Sequence, residues 1–133
     1  MKLLLDTQSL LWFLLDDSRL SEAAKTAIST FENDILVSPA SLWEIAIKIS
    51  IGKYALPVSF PEFWNEQLKI NQFTLLPISI PHTAKVAKMP FHHRDPFDRL
   101  IIAQAAVEDI AVISNDAAFD SYNVKRNWLN INL

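Results

Sequence analysis

Short, unbroken apolar runs alternate with helical segments along this chain, and no feature constrains its fold more. "KLLLD", "DILVS" and "IAVISN" each hold three or four consecutive apolar residues, the signature of strands buried on both faces rather than on one. Between them, "SLLWFLL", "LSEAAKTAISTFEN", "SPASLWEIAIKIS", "FPEFWNEQLKIN", "PHTAKVAKM" and "PFDRLIIAQAAVED" read as helices, and "FTLLPIS" as a further strand. The tail "VKRNWLNINL" is expected to add a last short strand. Strands alternating with helices predict a parallel sheet covered on both sides, an α/β/α sandwich.

The helix boundaries are marked. Ser21 is placed as an N-cap; Ser38 caps a helix with Pro39 at its first position, and Gly52 follows that helix, as expected of a cap, an N1 proline and a C-terminal glycine. Asp95 caps the helix that starts at Pro96. With 133 residues, half of them hydrophobic, the chain is expected to form one domain over residues 1–133 with a sizeable core. The absence of cysteine removes disulfides and thiolate chemistry and points to a reducing cytoplasm. Leu10–Leu15 is the longest apolar run, too short to span a bilayer. Lys2 and Leu3–Leu5 meet Asp6 at once, unlike a signal peptide. A net charge of −3 excludes nucleic-acid binding by bulk basicity. It leaves room for an acidic pocket acting through a metal.

The acids carry the chemistry. Asp98 begins a helix whose next positions on the same face are Ile101, Ile102 and Ala105, so its carboxylate shares the face that should enter the core, where an unpaired charge is costly. Asp6 ends the first strand and Asp116 follows "IAVISN"; Glu44 lies in the helix after "DILVS". In parallel sheets, ligands gather at the carboxyl ends of the strands. Four carboxylates distant in sequence are therefore expected at one rim. Like charges brought together disfavour ionisation, and a hard divalent cation, Mg²⁺ or Mn²⁺, resolves the conflict. Without Cys or a spaced His pair, zinc has no support.

Each acid also has a plain structural reading. Asp98 at N3 would complement the helix dipole; Glu44 would close a capping box in "SLWE" or pair with Lys48 at i+4; Asp6 would be a turn residue or N-cap, and Asp116 a loop residue. The adjacent His92 and His93 read as polar surface, with an acid–base or metal-binding role as the alternative, and His82 as structural or solvated. Trp12, Phe13, Trp43 and Trp64 are expected in the core, with a dimer seam or a groove for a partner helix as the alternative. Leu10, Leu11, Leu14 and Leu15 exceed what one buried face of a short helix needs, which marks a partner surface.

Together, "LLLDTQSLLWFLLDD", "VSPASLWEIAIKISIGK", "HHRDPFDRLIIAQA" and "VISNDAAF" resemble the PIN-domain family and, more closely, the toxin half of VapBC-type toxin–antitoxin pairs. The resemblance spans nearly the whole chain in order. It implies an α/β/α sandwich with a central, mainly parallel sheet and a Mg²⁺- or Mn²⁺-dependent ribonuclease whose acids match Asp6, Glu44, Asp98 and Asp116. It further implies a homodimer and a small antitoxin whose tail occupies the active-site groove. Asn115 is placed to share the role of Asp116, and Thr7 and Ser114 match small hydroxyl positions that orient ligands or water. Asp95 stands beside the acids, and Arg94 and Arg99 flank them as candidate contacts to RNA phosphates; pairing of Arg99 with Asp95 is the alternative.

Metal-activated water attacking RNA would leave 5′-phosphate and 3′-hydroxyl ends. Two rivals stand against this reading. A phosphatase or receiver-like switch on a similar sheet would want a second acid near Asp6, where Thr7, Gln8 and Ser9 follow instead. A catalytically silent binding module would act only through its partner surface.

Overall fold

Lys2–Leu5 forms β1, and its three leucines are fully buried because the strand lies in the middle of a sheet. In this computed structural model, which describes residues 1–128, β1 is flanked by β2 (Asp34–Val37) and β4 (Ala111–Ile113). Outside these lie β3 (Thr74–Leu75) and β5 (Arg126–Asn127), giving five parallel strands in the order β3-β2-β1-β4-β5 among the described residues. β5 matches the strand expected in the tail, whose part beyond Trp128 lies outside the described residues. β3 is shorter than "FTLLPIS" suggests: the Leu76 N–H donates to the carbonyl of Val37, the last residue of β2, and the pairing ends with that strand.

Alternating side chains of β1 build the two layers. Leu3 and Leu5 enter one core with Leu10 and Trp12 of α1 (Thr7–Leu14), Ala24, Ala27 and Ile28 of α2 (Glu22–Ser29), and Trp64 of α4 (Phe60–Ile70). Leu4 enters the other, with Ile101, Ile102 and Ala105 of α6 (Pro96–Glu108). Against α6 packs α5 (Ile80–Lys88), whose buried His82 accepts a hydrogen bond at Nδ1 from the Ser79 N–H, 3.0 Å, so that this histidine is a structural cap. α3 (Pro39–Ser50) contributes Ala40 to the second core and Ile45 to the first. Ser38 caps α3 and Gly52 follows it at φ +80°, the left-handed conformation that glycine adopts without strain.

Trp43 corrects the sequence expectation. It is 60% exposed, stacked edge-on against Phe97 at 5.1 Å, and aligned with exposed Ile47 and Ile51 along one face of α3. Helical spacing alone does not reveal which of two apolar stripes faces the sheet. Among the described residues, no helix is long and apolar enough to cross a membrane.

Candidate active site

The sheet's topology locates the site. Leu5 is in register with Val37 on one side and Ile113 on the other, so the residues after β1, β2 and β4 emerge on one rim. The chain runs outward from β1 through β2 to β3, then returns to place β4 on the opposite flank. The switch point therefore lies between β1 and β4, where open parallel sheets present their crevice.

Asp6 and Asp116 stand at that crevice, and each starts a helix. Asp6 Oδ1 accepts the Ser9 N–H, 2.8 Å, capping α1. Asp116 Oδ1 accepts the Ala118 N–H, 2.9 Å, capping a short 3-10 helix, Ala117–Ser121, where a loop is expected from the sequence. Asp98 is the third residue of α6, behind Asp95, whose Oδ1 takes the N–H groups of Phe97 and Asp98 at 2.8 and 3.2 Å. Glu44 lies a turn and a half inside α3, too far from Ser38 to close a capping box, and pairs with Lys48 at 3.1 Å. The plain readings of Asp6 as an N-cap, Asp98 as an N3 acid and Glu44 as the partner of Lys48 thus hold, and these same acids line one cleft with Asp116.

That cleft, about 530 Å³ in volume, is bordered by Asp6, Thr7, Glu44, Lys48, Asp95, Asp98, Asn115 and Asp116. Its electrostatics are those of uncompensated negative charge. Burial, aided by the charges of Asp95, Asp6 and Glu44 and opposed by His93, pushes the Asp98 carboxyl up to about 7. Burial likewise raises Asp6, against the hydrogen bonds of Ser114 and Ser9, and Asp116 adds to the rise. Lys48 answers part of this charge: burial pulls its ammonium down, but the hydrogen bond and charge of Glu44 hold it above its usual value.

The acidic donors that line the cleft are carboxylate oxygens, with His93 Nε2 within reach of Asp98 and Asp116, and carboxylate oxygens suit a hard divalent cation. Such an ion would offset the burial, and the like charges that add to it, that raise Asp98 and Asp6. Asp6, Asp98, Asp116 and Glu44 are the residues that would hold it.

Small hydroxyls brace the acids. Ser114 is fully buried; its Oγ accepts the Asp116 N–H, 3.0 Å, and it hydrogen-bonds Asp6. Thr7 donates to Ser41 Oγ at 2.9 Å. Asn115 is exposed at the cleft's edge. Arg94 is exposed in the loop before α6.

Two sequence expectations need correction. Arg99 does not face RNA: it is 5% exposed, and its guanidinium donates to the carbonyls of Pro90 (2.9 Å), Met89 (3.3 Å), His93 and Val86, with Phe91 stacked 4.2 Å away. The carboxylate of Asp95 is occupied by the start of α6, and Arg99 closes the 89–94 loop instead. His93 is not polar surface. Its Nε2 lies 2.8 Å from Asp116 Oδ2 and 3.1 Å from Asp98 Oδ2. Buried Ser9 and Ser41, which the sequence does not mark as site residues, also brace the rim: Ser9 Oγ donates to the Ile113 carbonyl at 3.1 Å, and Ser41 Oγ accepts from Thr7.

An apolar groove adjoins the cleft. Leu11, Leu14 and Leu15 of α1 face Tyr54, Leu56, Phe63 and Trp64 across about 340 Å³, and Gln8 and Trp12 border both cavities. Leu15, just past α1, is 70% exposed and Leu11 and Leu14 are half-buried, whereas Leu10 is fully buried, so only part of the leucine surplus reaches the surface.

The PIN domain family model matches residues 3–125. Among solved structures, the chain is similar to VapBC2 from Rickettsia felis, bound to a DNA fragment from its promoter, at a TM-score of 0.73 and 14% identity over 96% of this chain and 98% of that one. It is also similar to FitAcB from Neisseria gonorrhoeae (TM-score 0.66, 20% identity, 96% of each chain). DNA-bound VapBC from Salmonella typhimurium aligns comparably (TM-score 0.66, 14% identity, 96% of this chain and 97% of that one). A search of curated proteins gave no match.

Proposed function

This chain belongs to the PIN domain family, and on that premise we propose that it is a Mg²⁺- or Mn²⁺-dependent endoribonuclease, the toxin of a VapBC-type toxin–antitoxin pair acting in the cytoplasm. The observation that carries the reading is the meeting of Asp6, Glu44, Asp98 and Asp116, from four separate segments, around one cleft at the switch point of the sheet.

A divalent ion in this cleft would supply phosphate polarisation and a water of lowered pKa. The chain's own groups do the rest. Asp6, fixed by Ser9 and Ser114, and Asp98, fixed at the start of α6, present oxygens that do not reorganise on binding. Glu44 would hold a second metal ion or orient the attacking water, and its carboxylate is paired with Lys48. Asn115 and Asp116 complete the rim; Thr7 orients groups at its floor. Arg94, exposed and next in the chain to Asp95, is the cation offered to RNA phosphates. Attack by water rather than by the 2′-hydroxyl leaves 5′-phosphate and 3′-hydroxyl ends.

The groove beside Leu11, Leu14 and Leu15 suits an apolar helix of an antitoxin, whose continuation would enter the acid cleft. VapBC assemblies among the structural neighbours support that partner. The exposed stripe Trp43, Ile47 and Ile51 suits a second copy of the chain.

The test is incubation of antitoxin-free protein with structured RNA, with Mg²⁺ or Mn²⁺ and with EDTA, followed by analysis of the ends. Metal-dependent cleavage to 5′-phosphate products, retained when the cleaved nucleotide is 2′-deoxy, supports the reading. Loss of cleavage at a 2′-deoxy site with binding intact contradicts water attack, and no cleavage in any condition leaves a binding module.

A further inference from the structure

We propose that His93 is the positioning residue of this site: a single Nε2–H yokes Asp98 of α6 to Asp116 of the 3-10 turn, and the ring is not itself a metal ligand. The proposal rests on the nuclease reading above.

The geometry first offers the opposite. His93, Asp98 and Asp116 each present an atom within 4.8 Å of the others, as a three-ligand metal site would. The other ring nitrogen decides between them. His93 Nδ1 accepts the Asp95 backbone N–H at 3.1 Å, so it carries no hydrogen. With Nδ1 used as an acceptor, the ring's N–H is on Nε2, which lies 2.8 Å from Asp116 Oδ2 and 3.1 Å from Asp98 Oδ2. A nitrogen that carries a hydrogen has no lone pair for a cation, but it can donate to both carboxylates as a shared bond. Turning the ring over would lose the Asp95 contact and the carboxylate contacts together.

The ring is not free to turn. His93 N–H donates to Tyr122 Oη at 2.8 Å, Tyr122 donates to the Pro90 carbonyl at 2.9 Å, and Arg99 binds the carbonyls of Pro90, Met89 and His93. The ring also packs edge-on against buried Phe119, 6.0 Å between centroids. Asp116 is therefore held at both oxygens, Oδ1 by Ala118 N–H and Oδ2 by His93, with lone pairs on each still available. Two acids from separate segments thus keep their separation without a cation between them. Groups that orient metal-binding carboxylates in this way are worth roughly tenfold to a hundredfold in metal affinity.

The test uses Mn²⁺ with the whole chain, comparing His93→Asn, which keeps an acceptor for Asp95 but cannot reach the carboxylates, with His93→Gln, whose amide N–H can. Binding is followed by electron paramagnetic resonance, with pulsed spectra read for nitrogen coupling. The expected result is Mn²⁺ affinity lowered about tenfold to a hundredfold in His93→Asn, largely restored in His93→Gln, and no directly bound nitrogen in the unsubstituted protein. Strong coupling to an imidazole nitrogen overturns the proposal by making His93 a ligand. Equal affinity in His93→Asn also overturns it while leaving the nuclease reading intact. An unsubstituted protein that takes up no Mn²⁺ overturns both.

Discussion

Lys48 Nζ donates to Glu44 Oε2 at 3.1 Å, one turn along the same helix, so an acid of the cleft already carries a cation of its own. That pair competes with any divalent ion for Glu44 and offsets part of the cleft's negative charge. Lys48→Met is expected to tighten Mn²⁺ binding by about threefold to tenfold, the scale of one partly screened charge at this range. The same change should weaken RNA binding, raising KM. Calorimetric titration with Mn²⁺ and steady-state cleavage check the two halves separately.

Asp98 supports a prediction on the fold itself. Its carboxylate is buried among like charges, so Asp98→Asn removes repulsion while an amide oxygen can still accept from His93. The metal-free variant is expected to be as stable as the parent or more so by about 1 kcal/mol. Stabilisation by Mn²⁺ should vanish. Thermal unfolding with and without the ion measures both. A loss of up to about 1 kcal/mol with the metal response intact would make Asp98 a simple helix-start acid.

The pH dependence follows from the same group. Asp98 rises from an ordinary 3.8 to about 7 through burial and the charges of Asp95, Asp6 and Glu44. Between those two values the folded chain binds a proton that the unfolded chain has released. Stability contributed at this position is therefore lost as pH rises from about 3.8 to about 7, opposite to an ion-paired acid. Denaturant titration of metal-free protein should show that decline, and saturating Mg²⁺ should flatten it.

Arg99 is expected to matter for folding more than for RNA contact. Its guanidinium binds several carbonyls of the 86–93 segment from a site only 5% exposed. Lysine cannot reproduce that fan of donors. Arg99→Lys should cost about 2–4 kcal/mol by leaving buried carbonyls unpaired, read as a lowered denaturation midpoint.

How far the sequence carried this account depends on what each residue's role required. The parallel sheet was legible because β1, β2 and β4 are short apolar runs, and the helix starts because Ser21, Ser38 and Asp95 sit where caps belong. The convergence of the acids followed from strand ends. The positions of His93 and Arg99 did not, because both depend on how the 89–94 loop folds back on α6, where the His93 N–H meets Tyr122 Oη from 29 residues away. Trp43 escaped for a related reason: α3 is apolar on two faces, and only packing reveals which one the sheet covers.

The central claim is that these acids share one divalent ion, and Mn²⁺-soaked crystals measured for anomalous scattering test it most directly. A peak in the cleft bound by oxygens of Asp6 and Asp98, with Asp116 and Glu44 touching it directly or through water, is the predicted result. Manganese found only elsewhere, or a cleft in which Asp6 and Asp98 turn to separate partners at saturating ion, would contradict it.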